Sequence, residues 1–131
     1  MIEKEMLEII RHPADAGVRL NEIADEFRCG RDLNEVMVLL NSSNSRLVAF
    51  GVWILGELKF ELYNSPEYIR RLTELTDHED ASVRFHALGA LFPALDRDDA
   101  ATLTLLSKLR GDENEGVRKS AEAAAARLSL K

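Results

Sequence analysis

The sequence predicts an all-α fold, a short right-handed α-solenoid of about three helical hairpins preceded by capping helices. Three observations support this prediction. A motif returns every 34 to 38 residues, apolar residues recur at helical spacing, and no stretch alternates convincingly between apolar and polar residues. A chain of 131 residues with 46% hydrophobic and 31% charged residues fits one globular domain. We therefore expect a single domain over residues 1–131.

The repeat is clearest in two segments offset by 34 positions, residues 80–91 and 114–125. Each has Val-Arg after an acidic, turn-prone stretch and alanine three positions further on. A third segment, residues 44–53, matches at an offset of 38 when Arg46 is aligned with Arg84. Three copies with the same arginine and alanine positions predict a repeat architecture.

Residues 1–30 predict two capping helices. The first has an apolar stripe from Ile2 to Ile10 and ends at His12-Pro13, because proline disfavours helical geometry in the residue before it. The second, with apolar residues from Leu20 to Phe27, ends at Cys29-Gly30.

Residues 32–63 predict the first hairpin. Asp32 followed by Glu35 resembles a capping box, so a helix should run from there to about Leu40. Residues 41–45 have turn composition, and the longest helix is expected from Arg46 to about Tyr63.

The second hairpin is predicted over residues 65–95. Ser65 is suited to cap its first helix, with Pro66 in the first helical position. That helix should end at Thr76, and its partner, residues 81–95, should bend or stop near Pro93.

The third hairpin is predicted over residues 98–129. Asp98 and Asp99 open its first helix, and Gly111 closes it as a left-handed cap. The last helix covers residues 116–129, where Glu122 aligns with Leu88, as expected of a terminal repeat that faces water.

Burial can be predicted from two apolar stretches. Residues 47–56 carry no polar side chain, which predicts burial on most sides, with Gly51 and Gly56 allowing close helix approach. Trp53 is expected in the core, with a partner-binding anchor as the alternative. Phe85, Leu88, Phe92 and Leu95 form a stripe that we interpret as a seam between repeats, with an exposed groove as the alternative.

Composition excludes several classes of function. The formal net charge of −6 argues against a nucleic-acid binder, because phosphate affinity depends on clustered Lys and Arg. The single cysteine, Cys29, cannot form an intramolecular disulfide and is typical of a reducing compartment. The acidic N-terminus does not resemble a signal peptide, and no apolar stretch predicts a membrane segment, so we expect a cytoplasmic protein.

No motif predicts catalysis, a cofactor or a metal. His78 and His86 are eight positions apart, and we interpret both as surface residues rather than ligands. Residues 112–116 resemble a calcium loop but have glycine one position early, so we interpret them as a solvated repeat turn.

Charge is distributed unevenly along the chain. Residues 1–45 have a net charge of −4, residues 46–80 of −3, and residues 81–131 of +1. Solubility explains this asymmetry, and so does a surface that steers a basic partner.

The acidic turn, the Val-Arg step and the alanine-rich second helix resemble HEAT repeats over about residues 33–129. This resemblance implies a non-enzymatic module that binds another protein. It also implies that the arginine of the second helix, Arg84, ties the turn of its own repeat to an acidic residue of a neighbouring one.

The stretches 53–58 and 78–88 are similar to small bacterial HEAT-like proteins found among the immunity proteins of polymorphic toxin systems. That similarity implies a protein that neutralises a basic toxin domain by direct binding. HEAT-like DNA glycosylases and bilin lyases are the enzymatic or cofactor-handling alternative, and a self-associating scaffold fragment is a third. The candidate partner-binding residues are Glu57, Glu61, His86 and Asp96.

Overall fold

The computed structural model describes residues 1–130. Within these residues it is 75% helical, with nine α-helices and no strand, which confirms the all-α repeat prediction. The chain divides into two compact units, Met1–Tyr68 and a second that begins at Ile69. The α-helices are α1 (Ile2–Arg11), α2 (Ala16–Arg28), α3 (Asn34–Leu40), α4 (Ser45–Glu57), α5 (Phe60–Tyr63), α6 (Pro66–Leu75), α7 (Ala81–Leu91), α8 (Ala100–Arg110) and α9 (Glu115–Arg127), with 3₁₀ turns at Pro13–Asp15 and Phe92–Ala94.

In the first unit, α1 packs against α2, α3 and α4. Helices α3 and α4 approach each other closely at Gly51, where an added Cβ would lie 2.9 Å from the Leu39 Cβ. Gly56 has open space around it, so the predicted close approach is confirmed at Gly51 and wrong at Gly56. The fully buried side chains of this core include Met6, Ile23, Leu39, Leu40, Ile54 and Leu55.

Arg31 connects three segments of the first unit. Its guanidinium pairs with Glu5 of α1 and with Glu35 of α3, the latter at 2.9 Å from Nε to Oε2. It also lies 5.1 Å from the ring centre of Phe27 in α2. The two carboxylates raise the pKa of Arg31, and the hydrogen bond to Arg31 lowers the pKa of Glu35.

In the second unit, α9 packs against both α7 and α8. The inner faces carry aliphatic residues from every helix, and the helices begin with side-chain caps. Asp80 Oδ1 accepts from the Ser82 amide at 2.8 Å, and Asn114 Oδ1 from the Val117 amide at 3.0 Å. These caps satisfy amides that the first helical turn leaves unpaired. The largest fully buried side chains are Leu72, Leu75, Leu88, Leu91, Leu106 and Leu109.

The structure corrects the alignment of the first repeat. The caps of α4 and α7, Asn44 and Asp80, are 36 positions apart, and the same offset relates all six buried residues of the two helices. Val48 therefore occupies the position of Arg84, and Arg46 is exposed. The offset of 38 was wrong because Arg46 and Arg84 share a residue type without sharing an environment.

The longest predicted helix is interrupted. The structure ends α4 at Glu57 instead of continuing to Tyr63, because Leu58 and Lys59 adopt extended backbone before α5 begins. Leu58 is buried in this conformation, so tertiary packing overrides the helical pattern. The interruption leaves Glu57 and Glu61 on two different helices.

The remaining boundaries are close to prediction. Ser65 Oγ accepts from the Tyr68 amide at 3.3 Å, and the chain changes to a 3₁₀ turn at Pro93, as expected. Gly111 closes α8 with a φ of −103°, so the predicted left-handed cap was wrong. The capping residue before α3 is Leu33, although Asp32 Oδ1 does accept from the Asn34 amide at 3.0 Å.

Candidate functional site

A groove of about 280 Å³ lies between α7 and α9 on the surface of the second unit. We call it the α7–α9 groove. Small residues, Gly89, Ser120 and Ala123, form much of its lining, and Phe92 and Arg127 are its largest side chains. Its full lining comprises Leu88, Gly89, Phe92, Pro93, Ser120, Ala123, Ala124 and Arg127.

One large aromatic side chain on α7 remains exposed one turn before the groove. Phe85 is 43% exposed, although Val83 and Ala87 on the same helix are fully buried. The helix is apolar on most sides, so it cannot bury all of them against α9 alone. Of the predicted stripe, Leu88 is buried, Phe92 and Leu95 are half-buried, and Phe85 is exposed.

Packing does not require a glycine at position 89 of α7. An added Cβ would meet no atom within 4 Å, and its φ does not lie in the left-handed region. Glycine in a helix interior costs about 1 kcal/mol relative to alanine. The equivalent positions of α4 and α9 hold Trp53 and Ala123. Of these three helices, α7 is therefore the one that has no side chain at this position.

Arg127 lies over the aromatic wall of the groove. Its Cζ is 5.4 Å from the centre of the Phe92 ring, a cation–π distance. Among residues 1–130, no carboxylate forms an ion pair with it. The guanidinium is thus held by stacking, while its donors remain available for hydrogen bonding.

His86 and Asp96, two of the predicted contact residues, belong to the second unit. The His86 Nδ1 lies 2.7 Å from the carbonyl oxygen of Ser82, which can only accept, so this nitrogen donates. The ring also contacts the edge of Phe85 at 5.2 Å between centres. Asp96 is exposed, and its Oδ1 accepts from the Asp98 amide at 2.9 Å, so part of its role is to shape the loop before α8.

Glu57 and Glu61 belong to the first unit, and both are exposed. Arg28 of α2 donates to the carbonyl of Glu57 at 3.0 Å and lies 3.8 Å from its carboxylate. Glu61 lies on α5 and, together with burial, raises the pKa of Tyr63. This unit carries twelve acidic and seven basic residues, a net charge of −5.

A larger groove, of about 660 Å³, lies between α1 and α2 in the first unit. Its polar side chains are largely occupied with one another. Glu8 pairs with His12 at 3.0 Å, and Arg19 pairs with Glu22 at 2.6 Å. Apolar contact is offered mainly by Met1 and Val18, which are 89% and 63% exposed, whereas Ile9 in the lining is buried.

Within residues 1–130 there is no group of three or more His, Cys, Asp or Glu side chains placed to hold a metal ion. His78 is occupied at Nδ1, which accepts from the Asp80 amide at 3.0 Å. None of the described helices has the length and apolar character needed to span a membrane.

No sequence motif predicts Arg127, Ser120 or Ala123 as part of a site. The alternative of an exposed groove for the Phe85 stripe concerns the region of α7 where Leu88 and Phe92 line the α7–α9 groove. The available indication was Gly89 between Phe85 and Phe92, where a helix-destabilising residue interrupts an aromatic face. The contribution of α9 depends on packing and has no local motif.

The repeated hairpins and the surface between their second helices define a helical-repeat protein. A family model described as HEAT repeats matches residues 33–126, and the chain belongs to this family. No curated protein and no solved structure matches the chain.

Proposed function

We propose that this chain is a protein-binding module without catalytic activity, and that it contacts its partner through the α7–α9 groove and Phe85. HEAT repeats are generally protein-interaction modules. The observation that carries the proposal is the 43% exposure of Phe85 beside a groove lined by small residues. An aromatic side chain of this kind is typical of the anchors that dominate binding energy.

Two variants with matched loss of apolar surface test this proposal. Phe85 and Leu103 are 43% and 44% exposed, and Phe85 lies one helical turn before Leu88 and Gly89 of the groove, whereas Leu103 lies on α8. The tagged chain is used to capture its partner from a lysate of the source organism, and the purified pair is then measured by calorimetry. We expect Phe85→Ala to weaken binding about tenfold or more and Leu103→Ala to leave it unchanged. Equal affinities for both variants would contradict the assignment of the surface.

We further propose an immunity role, in which the chain neutralises a basic toxin domain by direct binding. The net charge of −5 on the first unit supports this role, because a field of one sign accelerates association with an oppositely charged partner. Arg28 orders Glu57 at the end of α4, and Glu61 follows on α5, so both are proposed contacts. In the second unit, His86 and Asp96 are proposed contacts in addition to the α7–α9 groove and Phe85.

The test of the immunity role measures the association rate with the captured partner at low and moderate salt. Glu57→Gln with Glu61→Gln should slow association at low salt. Glu122→Gln, a loss of exposed charge in the second unit, should have a smaller effect. Co-expression should also relieve the partner's toxicity to growth. An acidic partner, or association that does not depend on salt, would contradict this role.

A further inference from the structure

The α7–α9 groove combines an unfilled apolar floor with one available cation, and the two features lie on the same surface. Gly89 leaves open space above the helix, and Leu88 and Ala124 lie beneath it. Arg127 borders this space, stacked on Phe92. The groove therefore differs from a purely apolar face, because its shape and its charge each specify part of a ligand.

The charge in the groove is the feature that selects the ligand. Among residues 1–130, Arg127 is the one ionisable residue in the lining, so no described carboxylate lines the groove beside the guanidinium. Lys119, on the same helix, is outside the lining and pairs with Glu115 at 2.9 Å. A guanidinium presents planar donors that match the two oxygens of a carboxylate.

We propose that the α7–α9 groove binds a segment of the partner protein in which an apolar side chain is followed by a carboxylate, with the apolar group over Gly89 and the carboxylate on Arg127. This inference rests on the proposed protein-binding function and identifies the chemistry that the site recognises. It also gives a reason for the glycine at position 89, where alanine would give a more stable helix. An alanine methyl group at position 89 would occupy the space that the apolar side chain enters.

The probe for this proposal is 4-phenylbutyrate, with the neutral 4-phenylbutanamide as its matched control. Binding is followed by chemical-shift changes in the amide spectrum of the full chain. A ligand of this size should bind with a Kd of the order of a few millimolar. We expect shifts concentrated at residues 88–92 and 123–127, and an affinity for the amide about fivefold lower because it lacks the charge.

Variants separate the two parts of the site. Arg127→Gln should remove the preference for the carboxylate, whereas Lys119→Gln, the loss of a cation outside the groove, should preserve it. Gly89→Ala should raise the melting temperature and weaken both probes, a combination that damage to the fold would not give. Equal affinities of the two probes for the unmodified chain, shifts at other surfaces, or no binding of either probe would overturn the proposal.

The captured partner distinguishes this inference from the function on which it rests. If Phe85→Ala lowers the affinity for the partner and Arg127→Gln does not, the protein-binding function stands and carboxylate recognition is wrong. If neither variant changes the affinity for the partner, the groove is not the contact surface. The proposed contact through the groove and the proposed carboxylate recognition are then both wrong. Loss of partner affinity in both variants, with Lys119→Gln unchanged, supports both.

Discussion

Arg84 and Asp112, 28 positions apart, form a two-pronged ion pair inside the second unit. Nε and Nη2 of Arg84 each lie 2.9 Å from a different oxygen of the Asp112 carboxylate. Nη1 donates to the carbonyls of His78 and Glu79, at 2.9 and 3.1 Å. One guanidinium thus ties the turn before α7 to the turn before α9. The connection implied by the resemblance to HEAT repeats is confirmed at Arg84.

Loss of this arginine should destabilise the chain strongly. Arg84 is only 8% exposed, and its removal would leave Asp112 largely buried without its partner. We expect Arg84→Met to lower the free energy of unfolding by about 3 kcal/mol, since breaking a buried pair exposes the cost of burying the remaining charge. Arg46→Met, at an exposed arginine, is the control and should change it by less than about 0.5 kcal/mol. Urea unfolding at pH 7 measures both, and similar effects would contradict a special role for Arg84.

The same pair should make stability depend on pH in the acidic range. The hydrogen bond from Arg84 lowers the pKa of Asp112 below its ordinary value, and Arg31 does the same for Glu35. A lowered folded pKa means that these groups stabilise the fold fully above about pH 5, and that this stabilisation is lost as the pH falls through the folded pKa. Urea unfolding from pH 7 to pH 2 should show this loss, and Asp112→Asn should flatten the curve. A curve for Asp112→Asn parallel to that of the unmodified chain would contradict the prediction.

Two glycines of α4 should respond oppositely to alanine. At Gly51 the added Cβ would lie 2.9 Å from the Leu39 Cβ, so Gly51→Ala should cost about 1 to 3 kcal/mol through overpacking. At Gly56 the space is open, and Gly56→Ala should stabilise the helix by about 0.5 kcal/mol. Thermal unfolding of the two variants checks the difference in sign. A stabilised Gly51→Ala would show that α3 and α4 can separate without cost.

The two tyrosines of the chain should ionise at a higher pH in the folded chain than in the unfolded chain. Burial raises the pKa of Tyr63 and, with Glu67, the pKa of Tyr68 to about 12, where the hydroxyl donates to the Leu33 carbonyl at 2.6 Å. A raised folded pKa means that the stabilising contribution is complete below about pH 10 and is lost as the pH rises through the folded value. Absorbance at the tyrosinate wavelength should therefore stay low at pH 10 in the folded chain, whereas in urea both residues should ionise. Ionisation near pH 10 without unfolding would contradict the burial of both hydroxyls.

Local sequence determined most of the helical elements. Caps such as Asp80, Asn114 and Ser65 and breaks such as Pro93 act within one turn of the chain, so their effects can be predicted from neighbouring residues. The offset of 34 between the second and third repeats was also found correctly, because Val-Arg follows the caps Asp80 and Asn114 at the same spacing in α7 and α9. These features require no knowledge of distant contacts.

Tertiary packing decided what the motifs left ambiguous. Val48 replaces arginine in the first repeat, so only the burial pattern reveals the offset of 36, and the extended backbone at Leu58 interrupts a sequence with helical character. The candidate site was decided in the same way. Arg127 lies over Phe92 only because α9 packs beside α7. The space beside Gly89 is open because no side chain of a neighbouring helix reaches it. Sequence fixes which residues favour a helix, whereas contacts between helices determine which side chains remain available to a partner.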